Sequence, residues 1–227
     1  MVIINATIPT YNLPVKRILP KLFQSYVYTT LDDKEHAGYK HPNGKVFKSM
    51  NFKLLYRGHD LHICYTALDK EYEKHIAQEI LLNGLKLGEI HIASTQVELK
   101  RREAIGNSIT VGGFVVGAIK DGKLGKKKIY IEPKTDKFQE IIHNHTLQKY
   151  ETLFQEPYSD TLEIKLIKQY PKPKNFFYNK GVIKAWYGVY DIKANSDMLE
   201  LILDTGIGAN AMQGLGFVEE IKKKQTH

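Results

Sequence analysis

Val2 to Ile8 opens the chain as a short apolar run that reads as a buried strand. The spacing then lengthens. From Leu13 to Leu31, Ile18, Leu22, Tyr26 and Thr29 or Thr30 fall on one side of a helix whose first turn accepts Pro14. Pro20 is awkward inside that helix and predicts a kink or a later start. Asp32 to Gly44 is polar and holds Gly38, Pro42 and Gly44, the composition of a loop. Val46 to Tyr56 and Leu61 to Ala67 read as strands joined by a turn at Arg57-Gly58-His59-Asp60. Asp69 to Asn83 begins with an acid-rich turn and spaces Tyr72, Ile76 and Ile80 four apart, the pattern of an amphipathic helix. Leu85 to Lys100 returns to strand, giving the order β-α-β-β-α-β.

That order recurs in the second half. Ile109–Ile119 and Ile129–Ile131 are predicted strands around the Asp121-Gly122-Lys123 turn, and Thr135–Phe154 is a helix with Phe138, Ile141, Ile142, Thr146 and Tyr150 on its apolar stripe. Leu162–Ile167 and Val182–Ile192 alternate like a long hairpin, Ser196 caps a short helix through Leu203, and Phe217–Ile221 closes the pattern as a strand. The reading is α+β, two tandem ferredoxin-like (RRM-like) domains, divided as residues 1–104 and 105–227. Strands that come as hairpins argue against a parallel doubly wound sheet.

Composition narrows the class. Of 227 residues, 42% are hydrophobic and 26% charged, a globular balance that excludes wholesale disorder. No apolar run approaches the roughly 20 residues of a membrane span, and Met1-Val2-Ile3-Ile4-Asn5 does not read as a signal peptide, so the expectation is cytoplasmic. One cysteine, Cys64, excludes an intrachain disulfide framework and a multi-cysteine zinc site. The net charge of +8 favours an anionic partner. The excess is clustered: Lys120 to Lys128 holds five lysines and one aspartate. Pro171-Lys172-Pro173-Lys174-Asn175-Phe176-Phe177-Tyr178 then interleaves lysines with aromatic rings. Lysines neutralise phosphates and rings stack bases, the chemistry of single-stranded RNA binding. A soluble edge hairpin packed by its own aromatics would carry the same residues.

Asp204 to Phe217 carries Gly206, Gly208, Gly214 and Gly216 in the pattern GxGxxxxxGxG. Gly206-Ile207-Gly208-Ala209-Asn210-Ala211 satisfies a dinucleotide fingerprint, but a predicted helix precedes it and only 16 residues follow Ala211, so a βαβ unit cannot form around it. What remains is a glycine-rich loop whose exposed amides could approach a phosphate backbone, or simply a tight helix-to-strand connection.

The loop ending in Gly214-Leu215-Gly216-Phe217 resembles the signature of the repeat-associated RNA-binding superfamily of CRISPR systems, and within it the chain is similar to the endoribonucleases that process precursor repeat RNA. His36-Ala37-Gly38-Tyr39 followed by Lys45-Val46-Phe47 is similar to the family's catalytic histidine loop. Phe138 through Asn144 to Lys149-Tyr150 resembles its second-half helix, and the basic hairpin from Lys165 to Lys184 lies where the family recognises RNA. The resemblance implies a metal-independent cut without cofactors, in which a 2′-hydroxyl attacks the adjacent phosphodiester and leaves a 2′,3′-cyclic phosphate and a 5′-hydroxyl. Such chemistry needs proton transfer and stabilisation of the phosphorane charge. The resemblance assigns His36 as general acid/base, with His41 as the alternative. It assigns Lys45, or else Lys48, as the stabilising cation, and Tyr26 or Tyr28 as an orienting group. Gly206, Gly208, Asn210, Gln213, Gly214 and Gly216, with Lys172, Lys174, Lys180 and Lys184, are the implied RNA contacts. Precursor CRISPR repeat RNA is the implied partner, with effector-complex subunits and a homodimer as further possibilities. A non-catalytic RNA-binding subunit of the same superfamily, or an unrelated RNA chaperone, would need the basic surface and not the histidine loop.

Other constellations are bland. His143-Asn144-His145 spells HNH, but helix positions two apart diverge by about 200°, so they predict solvated helix faces rather than one metal site. His59 and His62 lack a completing acid or cysteine cluster, Cys64 reads as a packed thiol, and Asp32-Asp33 reads as a turn.

Overall fold

A computed structural model of the chain describes residues 1–8, 13–31, 33–92, 94–120, 128–179 and 181–221. In the first half, β1 (Val2–Thr7) leads to α1 (Leu13–Thr30), α2 (Asp33–Ala37) and the small hairpin β2 (Tyr39–Lys40) and β3 (Val46–Phe47). β4 (Met50–Arg57), β5 (Asp60–Ala67), α3 (Lys70–Asn83), the hairpin β6 (Leu85–Leu87) and β7 (Ile90–Ile92), and β8 (Thr95–Leu99) follow. The main sheet runs β4-β5-β1-β8, all antiparallel, with Val2 opposite Tyr65 on one side and Leu99 on the other.

The second half repeats the plan. β9 (Ser108–Val115), β10 (Gly117–Lys120) and β11 (Lys128–Ile131) precede α4 (Asp136–Phe154) and β12 (Glu163–Gln169). β13 (Lys174–Tyr178), β14 (Gly181–Lys193), α5 (Ser196–Thr205), a 3-10 turn (Ala211–Gln213) and β15 (Val218–Glu220) complete it. Its sheet runs β12-β14-β9-β15, with β13 paired to the first part of β14. Counting the main strands of each half in chain order, both sheets run second, third, first, fourth. The fold is therefore two tandem ferredoxin-like units. Strand alternation and helix stripes supply each core: Val2, Ile4, Phe23, Phe52, Tyr65 and Ile76 in the first, and Val111, Phe138, Ile142, Tyr190 and Ile202 in the second.

Several expectations are corrected. α1 runs through Pro20 without a later start; burial of Leu19, Phe23, Tyr26 and Val27 outweighs one missing amide donor. Its buried stripe is thus shifted from the predicted one, leaving Ile18 exposed. The polar stretch before Gly44 contains the one-and-a-half-turn helix α2, the strand predicted from Val46 breaks at Lys48-Ser49, and Leu85–Lys100 is three short strands. The predicted hairpin of Leu162–Ile167 with Val182–Ile192 gains β13, because Lys174–Tyr178 alternates against Ala185–Gly181. The Asp121-Gly122-Lys123 turn and Asp32 lie outside the described residues. Among those described, no helix is long and apolar enough to cross a membrane.

The units are joined at the C-terminal end of α5. The last four carbonyls of a helix lack partners within it, and here each receives a donor. Gly206 N binds Ile202 O at 2.8 Å, Arg102 Nη1 donates to Leu203 O at 2.7 Å, and Thr66 Oγ1 donates to Asp204 O at 2.7 Å. Thr205 O accepts from Asn51 Nδ2 at 3.3 Å and from Lys149 Nζ at 3.1 Å. Asn51 on β4 and Thr66 on β5 belong to the first sheet, so its face is pinned to a helix of the second unit. Arg102 also donates to Val218 O at 2.6 Å and lies 5.2 Å over the Phe217 ring.

Asp204 adds a titratable element. Its carboxylate takes Lys70 Nζ at 2.5 Å, yet burial outweighs that contact and lifts its pKa to about 6. The neutral form is favoured by folding, so this contribution is full below the ordinary aspartate range and is lost as pH rises through about 6. Urea unfolding at pH 4.5, 6 and 8 is expected to show Asp204→Asn gaining on wild type as pH rises, by on the order of 1–3 kcal/mol at pH 8. Parallel pH profiles for the two proteins would show that Asp204 does not titrate at this junction.

Candidate functional site

The histidine segment is held by a buried carboxylate. Glu35 on α2 is fully buried and accepts hydrogen bonds from Tyr39 Oη at 2.6 Å and Ser49 Oγ at 2.5 Å. Burial and the adjacent Glu35 carboxylate raise the Tyr39 phenol pKa. Lys48 closes the arrangement by donating to Glu35 O at 3.1 Å and His36 O at 2.6 Å, at the C-terminal end of α2. Gly38, with φ of 78°, turns the chain immediately after α2. Exposed His36 is thereby set against Tyr28 of α1, with ring centroids 5.0 Å apart, and the Lys48 ammonium lies 4.9 Å over the same Tyr28 ring. Burial lowers the Lys48 pKa, opposed by Glu35, and pushes the Tyr28 phenol up to about 12.

Tyr28 and Lys48 form one wall of a cleft of about 290 Å³. Gln24, Val46, Phe47, Lys128, His145 and Lys149 also line it, and the segment Gly208–Gln213 forms the opposite wall. Among the described residues, its charged lining groups are all lysines. His145 lies between Phe47, whose ring is 5.0 Å away, and the glycine loop. Burial, with the charges of Lys149 and Lys45, drives its pKa down to about 3, so the imidazole is neutral at physiological pH.

The glycine loop takes its shape from main-chain bonds, within itself and to β9 and the residue after it. Ile207 N binds Gly216 O at 2.9 Å, Gly216 N binds Phe114 O at 2.8 Å, and Ala209 N binds Val116 O at 3.0 Å. Gly206 and Gly216, with φ of 73° and 74°, are buried where these strands of the loop cross; a Cβ on either would overlap a carbonyl of the other limb. The expectation of exposed amides is corrected for this crossing, whose amides bond within the protein. Met212 inserts into the first unit's core, and Asn210 donates to the Gln213 side chain. Lys149 fixes the start of the loop, donating to Thr205 Oγ1 at 3.1 Å and Gly206 O at 2.6 Å besides Thr205 O. Burial pulls its pKa to about 7. Three acceptors and the negative end of the α5 dipole favour the charged form.

Of the residues read from the sequence, Asn210, Gln213 and Gly208 line the cleft, and His36, outside its lining, stands against Tyr28, which is part of it. Gly214 is half-buried beside the Phe52 ring. Tyr26 is packed in the first core against Phe23, and Tyr28 occupies the cleft instead. Lys45 and His41 turn toward α4: Lys45 Nζ donates to Gln148 Oε1 at 2.8 Å, and His41 Nε2 meets Glu151 Oε2 at 3.2 Å. Lys172 and Lys174 line a separate slot with Phe114, Tyr170 and Tyr187, Lys184 is exposed on β14, and Lys180 lies outside the described residues. The expectation of solvated HNH faces holds for Asn144 alone; His143 Nε2 meets Leu162 O at 3.2 Å and His145 faces the cleft. His145 and Lys149 are four apart on α4 and so share a face, a signal present in the sequence. Glu35 left no such signal. His59 bonds Ile8 O, and His62 bonds Asn5 and Cys64; no group of three metal-ligating side chains converges among the described residues.

The chain thus combines two ferredoxin-like units, a crossed glycine loop and a cleft lined by lysines. Residues 100–220 match the family described as "CRISPR associated protein Cas6, C-terminal". The chain belongs to that Cas6 family. Similar solved structures include one described as "Characterization of a Cas6-related gene from Pyrococcus furiosus", 16% identical over 99% of each chain with a TM-score of 0.71. A second, described as "CRISPR associated protein Cas6", is 15% identical over 97% of this chain and 98% of the other, with a TM-score of 0.68. A Cas6 product complex is 17% identical over 97% and 98%, with a TM-score of 0.66. Identities this low establish the shared fold. No curated protein matches the chain.

Lys149→Met is expected to release the crossing. Unpairing buried carbonyls costs about 1–3 kcal/mol each. Hydrogen exchange should therefore quicken at the amides of Ile207 and Gly216 while β1 and β5 keep their protection. Unchanged exchange in the loop would show that the lysine does not hold it.

Proposed function

We propose that this protein is an endoribonuclease that processes CRISPR repeat RNA by metal-independent transesterification. The observation that carries the reading is the meeting of His36 and Lys48 on the ring of Tyr28, with Tyr28, Lys48 and the glycine loop lining one cationic cleft. Membership of the Cas6 family supports the substrate class, and a Cas6 product complex is among the similar structures.

In the proposed reaction the ribose 2′-oxygen forms a bond to the adjacent phosphorus while the bond from phosphorus to the 5′-oxygen breaks. His36 takes the 2′-hydroxyl proton as general base. Tyr28, whose phenol stays protonated because burial lifts its pKa to about 12, is the donor beside it and hydrogen-bonds a phosphoryl oxygen or the departing 5′-oxygen. Lys48 supplies positive charge to the phosphorane, and its bonds to the α2 carbonyls keep it beside His36. The departing 5′-oxygen takes a proton from solvent water while His36 returns its proton to solvent, so the products carry a 2′,3′-cyclic phosphate and a 5′-hydroxyl. Lys45 and His41 then act through the β2–β3 hairpin, by docking it on α4. Asn210 and Gln213 contact the RNA from the opposite wall.

Cleavage of the repeat RNA in EDTA tests the chemistry. His36→Ala and Lys48→Ala are each expected to slow the single-turnover step by about 10²–10⁴-fold. Lys45→Ala should cost less than either, and one 2′-deoxy substitution at the cut should abolish cutting. Loss confined to His41→Ala would move the site to the β2–β3 hairpin. Tight binding without cutting would overturn the enzyme in favour of a non-catalytic RNA-binding subunit.

Binding itself should weaken steeply with salt. If 6–10 phosphates are contacted, affinity falls by about 10³–10⁵-fold between 50 and 200 mM salt. A flat salt profile would contradict a phosphate-reading surface.

A further inference from the structure

The second sheet carries an aromatic slot, separate from the cleft, that the transesterification does not use. Phe114 on β9 and Tyr187 on β14 stand directly opposite each other, with ring centroids 5.3 Å apart and nearly perpendicular. Tyr170 meets Tyr187 edge-on at 5.2 Å, and Phe176 of β13 meets Phe114 at 5.1 Å. Together Phe114, Tyr170 and Tyr187 enclose about 270 Å³ with Lys172 and Lys174 at the rim. The sheet is built to admit the Tyr187 phenol: a Cβ at Gly112 would come within 2.6 Å of its Oη. Tyr170 keeps 54% of its surface exposed, so the slot is open to a ligand.

We infer that this slot binds one unpaired nucleobase of the RNA, stacked among Phe114, Tyr170 and Tyr187, with its flanking phosphate on Lys172 and Lys174. An aromatic enclosure alone also suits a quaternary ammonium group. Here the Lys174 ammonium already sits 5.3 Å over both the Phe114 and Phe176 rings, and a second cation would be repelled. An anionic chain with a flat apolar base satisfies both the rings and the lysines. The slot adjoins the cleft through a shared minor core, in which Phe114 and Phe176 pack with Ala209 and Leu215 of the glycine loop. RNA held at the glycine loop therefore has a short route to it.

This inference rests on the RNA-processing reading for the identity of the RNA, and the test separates the two. Tyr170→Ala removes an exposed ring, and Tyr170→Phe keeps the stacking surface. By fluorescence anisotropy on the repeat RNA, Tyr170→Ala is expected to weaken binding about 5- to 150-fold, the range for one stacked base, with Tyr170→Phe near wild type. The single-turnover rate at saturating RNA should be unchanged. Scanning abasic substitutions through the unpaired positions should find one that reproduces the loss in wild type and adds nothing in Tyr170→Ala. Wild type that binds and cuts, with Tyr170→Ala binding within twofold of it, would overturn the slot and leave the processing reading intact. Wild type that does not cut the repeat but binds labelled oligoadenylate, with that binding lost in Tyr170→Ala, would keep the slot and overturn the processing reading. Choline competing with oligoadenylate at the wild-type protein but not at Tyr170→Ala would show a cation cage instead.

Discussion

The C-terminal end of α5 is the contact on which the remaining geometry depends. Helix ends expose carbonyls that must find donors, and this one finds them in Asn51, Thr66, Arg102 and Lys149. Three of those donors come from the first ferredoxin-like unit or the segment that leaves it, and the fourth from α4. One helix terminus therefore fixes the first sheet, α4 and the start of the glycine loop relative to one another. The cleft exists because these parts meet there: Tyr28 and Lys48 arrive from one unit, His145 and Lys149 from the other. Asp204 adds a charge whose burial works against its pairing with Lys70, so the junction is held by hydrogen bonds more than by ion pairs.

The cleft separates its chemical roles by solvation. His36 is exposed, whereas His145 is driven neutral by burial and by two neighbouring lysines. Lys48 is part-buried and bonded to carbonyls, and Lys128 is exposed. A polyanion entering such a cleft meets lysine charge without a competing carboxylate among the described lining side chains. The positions of His36 and Lys48 both depend on Glu35, through α2 and through Ser49, so a buried acid sets their spacing beside Tyr28.

Much of the fold was legible because periodicity reports one-sided burial. The α3 stripe of Ile76 and Ile80 and the apolar run of β1 are local signals, and the repeat of strand and helix order exposed the tandem plan. The stripe of α1 was misplaced by one residue because Tyr26 belongs to both candidate faces, and Leu19 against Ile18 is decided only by packing. The four glycines marked the loop, since positive φ is encoded by residue type. The site was legible in kind and not in register. Whether Lys45 or Lys48 faces Tyr28 depends on the break between β3 and β4, which Glu35 creates by capturing Ser49 across 14 residues. A buried glutamate in a polar stretch has no periodic signature, and Lys149 looked like an ordinary helix lysine until α5 met it.

The crossed loop also has an evolutionary consequence. Its shape is set by main-chain bonds, by glycines at the crossing and by Met212 in the first core, while Ala209, Asn210, Ala211 and Gln213 are only half-buried. Fixed and half-buried positions alternate within one short segment. Substitution at Ala209, Ala211 or Gln213 leaves these fixed points in place, whereas Asn210, at φ of 73°, is confined to residues that accept the left-handed region.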